Sequence, residues 1–306
     1  MTDMARAAID VRLLCGFLGS GKTTRINHLI AEGTLRDALF LVNDFGRLNI
    51  DAELITAEED GIVRLNNGCA CCGLSGDLSA QLSDIRRWPS PPTLLVFEAS
   101  GVARPRPLMQ LFGAAEGYSL GSAETLVDLS ALQRLLHDPA IADITQAQIT
   151  DVPRLRINRH AKLPGIVRER ETALLKSLNS AAELVWDSPP KELSITYTKS
   201  SESAVWPDFH ALAASAGVIT SRTLALPRAL DSQQLMALLD AAAPILLRAK
   251  GMLRDCEHPQ TLLALQWTPG GGRRTPFPGA KQDVLVLIGK EGPGMDALVS
   301  SIEALL

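Results

Sequence analysis

The sequence predicts an α/β protein in which a mostly parallel sheet, with helices on both faces, is followed by a smaller α+β domain. Short apolar runs alternate with helical patterns over the first 186 residues, and this alternation ends after Trp186. The length of 306 residues is also enough for two domains of ordinary size. We place the boundary near residue 200, which gives domains at 1–200 and 201–306.

The first domain contains apolar runs that we interpret as strands of one sheet, at 11–15, 38–43, 93–98, 125–128 and 182–186. Near-continuous apolar runs are typical of parallel strands that are buried on both faces. Helical patterns lie between the runs, beginning near Lys22 and near 77–86, 130–137 and 165–178. This alternation predicts parallel pairing, because consecutive parallel strands need a crossover connection between them.

The second domain is predicted to follow a segment at 187–207 that is rich in proline and serine and lacks periodicity. Its strand candidates are 217–226, 245–253, 261–268 and 283–289. Apolar stripes at helical spacing predict two helices, within 235–242 and 295–306. The Pro-Gly-Gly-Gly sequence at 269–272 predicts a hairpin tip.

Composition and charge argue against several classes of protein. Apolar residues make up 46% and charged residues 21%, which is typical of a folded globular chain. The formal net charge of −4 gives no indication of a nucleic-acid surface. No uncharged apolar run approaches the ~20 residues that span a bilayer, and no signal-peptide pattern is present. We therefore expect a cytoplasmic protein with neither a membrane nor a nucleic acid as partner.

Residues 16–24, Gly-Phe-Leu-Gly-Ser-Gly-Lys-Thr-Thr, match the phosphate-binding P-loop pattern between a predicted strand and a predicted helix. Glycines let backbone N–H groups surround the α- and β-phosphates, Lys22 adds charge near the β- and γ-phosphates, and the Thr23 hydroxyl can bind Mg²⁺. The expected nucleotide contacts are Gly16, Gly19, Ser20, Gly21, Lys22, Thr23 and Thr24. A glycine-rich turn with a purely structural role is the alternative.

Glu98 is the next candidate, because it ends an apolar run and precedes the sequence Ala-Ser-Gly101. A nucleotide hydrolase needs an acid at such a strand end, to hold Mg²⁺ through water or to polarise the attacking water. Gly101 suits a loop that senses the γ-phosphate. We therefore predict Lys22 and Glu98 as the catalytic residues, and a merely solvated acid at the strand end is the alternative.

Three of the five cysteines, Cys69, Cys71 and Cys72, fall within four residues. A low and odd number of cysteines argues against a disulfide framework, whereas three thiols this close can bind one soft metal ion. Zinc takes four ligands, or three and an exchangeable one, and Asp44 is a candidate extra ligand from a neighbouring loop. Three small buried residues after a turn are the structural alternative. A redox pair fits less well, because the spacing is Cys-x-Cys-Cys.

Together these motifs resemble the CobW-type P-loop GTPases, relatives of the nickel-insertion GTPases that include zinc-transfer metallochaperones. The matching segments are 16–24, 42–51, 67–72, 97–105, 127–128, 146–149 and 247–251. The most distinctive of them is Gly-Cys-Ala-Cys-Cys at 68–72, and Asp44 stands where the family has glutamate. The resemblance covers most of the chain, most densely up to about residue 130.

The resemblance implies a P-loop NTPase domain and a CobW-like C-terminal domain. The ligands it implies for the nucleotide and Mg²⁺ are Lys22, Thr23, Asp51 and Glu98. It assigns Asp44 and the three clustered cysteines to Zn²⁺, Co²⁺ or another transition metal. The family couples GTP hydrolysis to metal delivery, so the expected partners are the nucleotide and a client metalloprotein, with a homodimer left open. If the segments around Asp44–Asp51 and Glu98 both respond to the γ-phosphate, hydrolysis would reshape the metal site.

One departure from the family concerns the base of the nucleotide. The family binds guanine with Asn-Lys-x-Asp, and the aligned residues here are Asn158, Arg159, His160 and Ala161. Arg159 can still stack on a base through its aliphatic stem, but an alanine cannot accept hydrogen bonds from guanine. Losing that acceptor costs ~1–3 kcal/mol of discrimination, so we predict only a weak preference for GTP over ATP.

Two other functions stay open from the sequence. A nucleotide-gated metal-binding adaptor with negligible hydrolysis is favoured by the altered base motif, and even the leading interpretation implies weak hydrolysis. A small-molecule kinase would use the same P-loop, but no lid is evident and the cysteines stay unexplained. The family's histidine-rich stretch is missing as well, which favours metal transfer over metal storage.

Overall fold

A computed structural model describes residues 7–32, 38–42, 75–187, 219–277 and 283–306. By its contacts the chain divides into two units, Met1–Pro190 and Lys191–Leu306. The predicted boundary at residue 200 lies outside the described residues and stays a prediction. Within the described ranges, no helix combines the length and the apolar character needed to cross a membrane.

The first unit is an α/β structure built on a six-stranded parallel sheet. Its strands are β1 Ile9–Cys15, β2 Ala38–Val42, β3 Leu94–Glu98, β4 Tyr118–Asp128, β5 Arg154–Asn158 and β6 Glu183–Trp186. Its described helices are α1 Lys22–Ala31, α2 Ser75–Arg86, α3 Pro105–Ala114, α4 Leu132–His137, α5 Ala142–Thr150 and α6 Gly165–Leu178. The strands lie in the order β2-β3-β1-β4-β5-β6, and every neighbouring pair is parallel.

The two faces of this sheet bury different helices, because successive side chains of a strand point to opposite faces. Leu14 of β1 packs with Ile26 of α1. Leu13 points to the other face and packs in the core that contains Phe97 of β3 and Phe112 of α3. The helix that follows β1 and the helix that follows β3 therefore lie on opposite faces of the sheet. Such a switch point opens a crevice at the carboxyl ends of the strands, where open α/β sheets bind their ligands.

In the described residues, the second unit is an antiparallel sheet that packs against two helices. Its strands are β7 Ile219–Ala225, β8 Leu246–Arg254, β9 Leu262–Thr268, β10 Gly271–Pro276 and β11 Val284–Lys290. Its described helices are α7 Ser232–Ala241 and α8 Pro293–Leu305. The strand order is β10-β9-β8-β11-β7, and the core contains Leu235, Trp267 and Leu298. The predicted fold class, a mostly parallel α/β domain with a smaller α+β domain, is confirmed.

Candidate nucleotide site

The loop between β1 and α1 begins at Gly16, where only glycine fits. Gly16 has a φ of 135°, and a Cβ at this position would lie 2.5 Å from the carbonyl oxygen of Leu126 in β4. Gly19 and Gly21 also have positive φ angles, of 77° and 97°. An L side chain rarely adopts these conformations, so the glycines allow the loop to pass close to β4.

Lys22 is the first residue of α1, and it is buried with only 4% of its surface exposed. Its Nζ donates hydrogen bonds to the carbonyl oxygens of Gly16, at 2.8 Å, and Phe17, at 3.2 Å. Ser20 is 3% exposed, and its Oγ has no hydrogen-bond partner among the described residues. A buried hydroxyl without a partner is costly. The loop thus holds an ammonium group and an unused hydroxyl donor, which fits the binding of a phosphate.

Thr23 and Glu98 meet although 75 residues separate them in sequence. The parallel register places Leu14 beside Glu98, so β1 and β3 end side by side. Thr23 Oγ1 donates to the two carboxylate oxygens of Glu98, at 3.1 and 3.3 Å, and Glu98 is 2% exposed. Hydroxyl and carboxylate oxygens are ligands that Mg²⁺ prefers, so this pair fits a magnesium ion bound together with a nucleotide.

The loop that follows Glu98 is packed between the P-loop and α5. A Cβ on Gly101 would lie 2.8 Å from the backbone nitrogen of Leu18 in the P-loop. On its other side, Gln148 Nε2 of α5 donates to the carbonyl oxygens of Gly101, at 3.1 Å, and Ala103, at 2.9 Å. Sequence reasoning assigned no role to Gln148, since a buried glutamine in a helix gives no signal of what it contacts.

Two residues at the end of β5 join the P-loop to the rest of the site. Asn158 Nδ2 donates to the Ser20 carbonyl oxygen at 2.6 Å. Arg159 has a left-handed backbone with a φ of 53°, and its guanidinium binds the Asp128 carboxylate and, at 3.0 Å, the Gly19 carbonyl oxygen. Asp128 ends β4 and was not predicted as a site residue, although its place at a strand end matches that of Glu98.

The residue after His160 is an alanine, so this position offers no carboxylate. Ala161 is exposed, and its methyl group can accept no hydrogen bond. His160 is directed towards the end of β6, where its Nε2 lies 2.8 Å from the Asp187 carbonyl oxygen. The His160 ring also packs edge-on against Trp186, with 4.9 Å between the ring centroids. Recognition of guanine by an aspartate at this position is therefore absent.

The two cysteines outside the cluster belong to no metal site among the described residues. Cys15 ends β1 and is fully buried; burial raises the pKa of its thiol to about 12, against the opposing effect of the nearby Lys22 charge. Cys15 thus stays a neutral thiol, which is a poor metal ligand. Cys256 is exposed, and in the described part of the chain no three His, Cys, Asp or Glu residues are grouped closely enough to hold a metal ion.

The described residues bring together most of the predicted nucleotide site: the P-loop, Glu98, Asn158 and Arg159. Thr24 lies in the first turn of α1 with its side chain exposed. The remaining predicted residues lie outside the described residues, namely Asp44, Asp51, Cys69, Cys71 and Cys72.

Comparison with known protein families matches both units of the chain. Residues 10–185 match the family described as "CobW/HypB/UreG, nucleotide-binding domain". Residues 219–306 match the "Cobalamin synthesis protein cobW C-terminal domain". The two matches therefore cover nearly all of the residues that the structure describes.

Individual relatives carry names that refer to zinc and GTP. The chain is 29% identical over 273 residues to the zinc chaperone YjiA of Escherichia coli K12, covering 83% of this chain and 85% of that protein. It is 32% identical over 110 residues to the zinc chaperone CobW of a Sinorhizobium species, covering 34% of this chain and 31% of that protein. A zinc-regulated GTPase metalloprotein activator 1 of Dictyostelium discoideum is 30% identical over 141 residues, covering 42% of this chain and 29% of that protein.

Among solved structures, the Zn(II)-bound YjiA GTPase from E. coli aligns with 98% of this chain and 99% of its own, at 21% identity and a TM-score of 0.42. The chain thus matches YjiA over most of its length, but spans less than a third of the Sinorhizobium and Dictyostelium relatives.

Proposed function

The chain belongs to the CobW/HypB/UreG family, and from this premise we propose that it is a metal-binding P-loop GTPase that acts as a metallochaperone. In this proposal, GTP binding and hydrolysis are coupled to the transfer of a metal ion to a client protein. The observation that carries the proposal is the contact of Thr23 Oγ1 with the Glu98 carboxylate, at 3.1 Å, beside the P-loop. Two relatives are named zinc chaperones, which supports zinc as the cargo, with cobalt as an alternative.

The described residues suit each task that GTP hydrolysis sets. Lys22 Nζ exchanges its two carbonyl acceptors for oxygens of the β- and γ-phosphates, and the Ser20 hydroxyl gains an acceptor. Thr23 and Glu98 would hold a Mg²⁺ ion that binds with the nucleotide, and the ion would supply positive charge to the phosphate oxygens. Glu98 would also be placed to polarise the attacking water. Asn158 and Arg159 hold the P-loop by its backbone carbonyl groups.

We assign the cargo metal to Asp44, Cys69, Cys71 and Cys72, and Asp51 to the nucleotide and its Mg²⁺. In sequence, the cargo ligands lie between the P-loop and Glu98. A γ-phosphate that draws both flanking segments towards it would alter the metal site, and hydrolysis would release that constraint. A reducing compartment keeps adjacent thiols available for metal binding, so we place the protein in the cytoplasm.

The base site supports a weak preference for GTP over ATP. The Arg159 guanidinium is already bound to Asp128 and to the Gly19 carbonyl group, which leaves its aliphatic stem to stack on a base. Neither stacking nor the Ala161 methyl group distinguishes guanine from adenine. This arrangement also keeps open a second candidate function, a nucleotide-gated metal-binding adaptor with negligible hydrolysis.

Hydrolysis of GTP with and without Zn²⁺ tests the proposal, together with the zinc content of the purified protein. We expect slow hydrolysis whose rate responds to zinc. A K22M variant should hydrolyse GTP about a hundredfold more slowly, because the charge that stabilises the transition state is removed.

A C69S/C71S/C72S variant should bind GTP normally and lose its zinc, whereas C256S, at an exposed cysteine, should retain it. GTP binding without measurable turnover would favour the adaptor, and zinc retained by the triple variant would contradict the metal assignment.

A further inference from the structure

We propose that Gln148 is a positioning residue that holds the loop after β3, residues 99–103, in the conformation that recognises the γ-phosphate. The inference rests on the proposed NTPase function and adds the side chain through which the site distinguishes nucleoside triphosphate from diphosphate. Gln148 lies on α5, on the far side of this loop from the P-loop, so it would act through the loop and not on the nucleotide itself.

Gln148 directs both of its amide hydrogens to this one loop. Its side chain is 2% exposed, and Nε2 donates to the carbonyl oxygens of Gly101 and Ala103, at 3.1 and 2.9 Å. Because a peptide unit is planar, holding the Gly101 carbonyl also fixes the N–H group of Val102. A glutamine has two amide hydrogens, so these two bonds use its full donor capacity.

The loop has little freedom between Gln148 and the P-loop. A Cβ on Gly101 would lie 2.8 Å from the Leu18 nitrogen, so the loop backbone already contacts the P-loop backbone. Ala103 N–H donates to the Ser100 carbonyl oxygen at 2.9 Å, which keeps the loop compact. Loss of the two bonds from Gln148 would therefore free the loop on the side that faces α5.

Gln148 is itself held by the sheet, which is what a positioning residue requires. The Thr125 hydroxyl of β4 donates to the Gln148 carbonyl oxygen at 2.6 Å. Two ion pairs also connect the start of α3 with α5, between Arg104 and Asp143 and between Arg106 and Asp151. These pairs have exposed members, and such pairs contribute little. Among these hydrogen bonds and ion pairs, the two from the buried amide are therefore the ones that hold the loop itself to α5 in the described part of the chain.

The test compares affinity for a non-hydrolysable GTP analogue with affinity for GDP, by titration calorimetry, and measures the rate of GTP hydrolysis. Two isosteric variants, Q148M and Q148E, lack the amide hydrogens, and thermal unfolding shows whether each is folded. We expect both to bind the analogue about tenfold more weakly and to hydrolyse GTP about tenfold more slowly, as the loss of two buried hydrogen bonds implies. GDP affinity should stay within about twofold, because GDP has no γ-phosphate.

N179L is the matched control. Asn179 Nδ2 also donates to backbone carbonyl oxygens at the end of α5, those of Ile149 at 2.8 Å and Val152 at 3.0 Å, away from the loop. N179L should lower the unfolding temperature and leave the ratio of the two affinities unchanged. An unchanged ratio in folded Q148M and Q148E overturns the inference, and so does an equal loss of both affinities. A wild-type protein that neither hydrolyses GTP nor distinguishes the analogue from GDP would instead overturn the proposed function.

Discussion

Ala161 is the residue at which base recognition can be tested directly. An A161D variant places a carboxylate where the guanine amine and ring N–H need an acceptor, and a bidentate acceptor is worth ~1–3 kcal/mol of discrimination. We expect the ratio of GTP affinity to ATP affinity to rise about tenfold, measured by titration calorimetry. A161S is the control, because a hydroxyl offers no bidentate acceptor. A wild-type protein that already prefers GTP a hundredfold would show that another residue reads the base.

Two buried groups that lose a proton at high pH, the Cys15 thiol and the Tyr118 hydroxyl, make the free energy of unfolding depend on pH in the alkaline range. Burial raises the pKa of Cys15 from 9.0 and that of Tyr118 from 10.0, each to about 12. The Tyr118 hydroxyl also donates to the Leu82 carbonyl oxygen at 2.7 Å. Between the ordinary and the raised pKa values, the folded state binds more protons than the unfolded state. The free energy of unfolding must therefore fall as pH rises through this window.

Urea unfolding at a series of pH values from 7 upwards measures this effect. Each group contributes a slope of up to ~1.4 kcal/mol per pH unit above its ordinary pKa. A C15A variant should lose stability at neutral pH but show a shallower decline above about pH 9, while C256A, at an exposed thiol, should decline as the wild type does. Identical slopes in C15A and wild type would contradict the assignment to Cys15.

At the scale of elements, the P-loop depends on Gly16 for its path beside β4. A G16A variant forces a Cβ to within 2.5 Å of the Leu126 carbonyl oxygen, at a φ of 135°. We expect a loss of ~2–4 kcal/mol in the free energy of unfolding, together with weaker nucleotide binding. In G113A, the new Cβ lies in α3 and meets no atom within 4 Å, so this control should be neutral or up to ~1 kcal/mol more stable. Equal stability of G16A and wild type in urea unfolding would refute this account of the loop.

The sequence did not predict helix α5 or strand β10, and the reason is physical in each case. The helix α5 buries Thr145 and Gln148 beside Ile149, so its buried face is partly polar and no apolar stripe marks it. The strand β10 contains Gly271, Gly272, two arginines and a threonine, and among the described strands it is an edge strand that pairs with β9. Apolar periodicity predicts elements that bury apolar faces, and these two bury few apolar side chains.

At the scale of the whole molecule, parallel topology made part of the site predictable. Parallel strands end on the same side of a sheet, which puts a P-loop after one strand and an acid at the end of another on that side. Thr23 and Glu98 meet because β1 and β3 are also neighbours, and the sequence did not predict that strand order. Gln148 contacts the loop after β3, and Asp128 contacts Arg159. Both contacts depend on how α5 and the loop after β5 pack against the rest of the unit. No local pattern encodes those contacts, which is why their roles emerged only from the structure.

We propose that the state of the nucleotide controls the binding of the cargo metal, and zinc affinity in the two nucleotide states tests this coupling most directly. Zn²⁺ is titrated into protein saturated with a non-hydrolysable GTP analogue or with GDP, using a chromophoric competitor chelator. We predict zinc binding about tenfold tighter with the analogue, a coupling of ~1.4 kcal/mol, and by linkage zinc should raise the analogue's affinity by the same factor. The C69S/C71S/C72S variant should show neither effect. Equal zinc affinities in the two nucleotide states would contradict the claim.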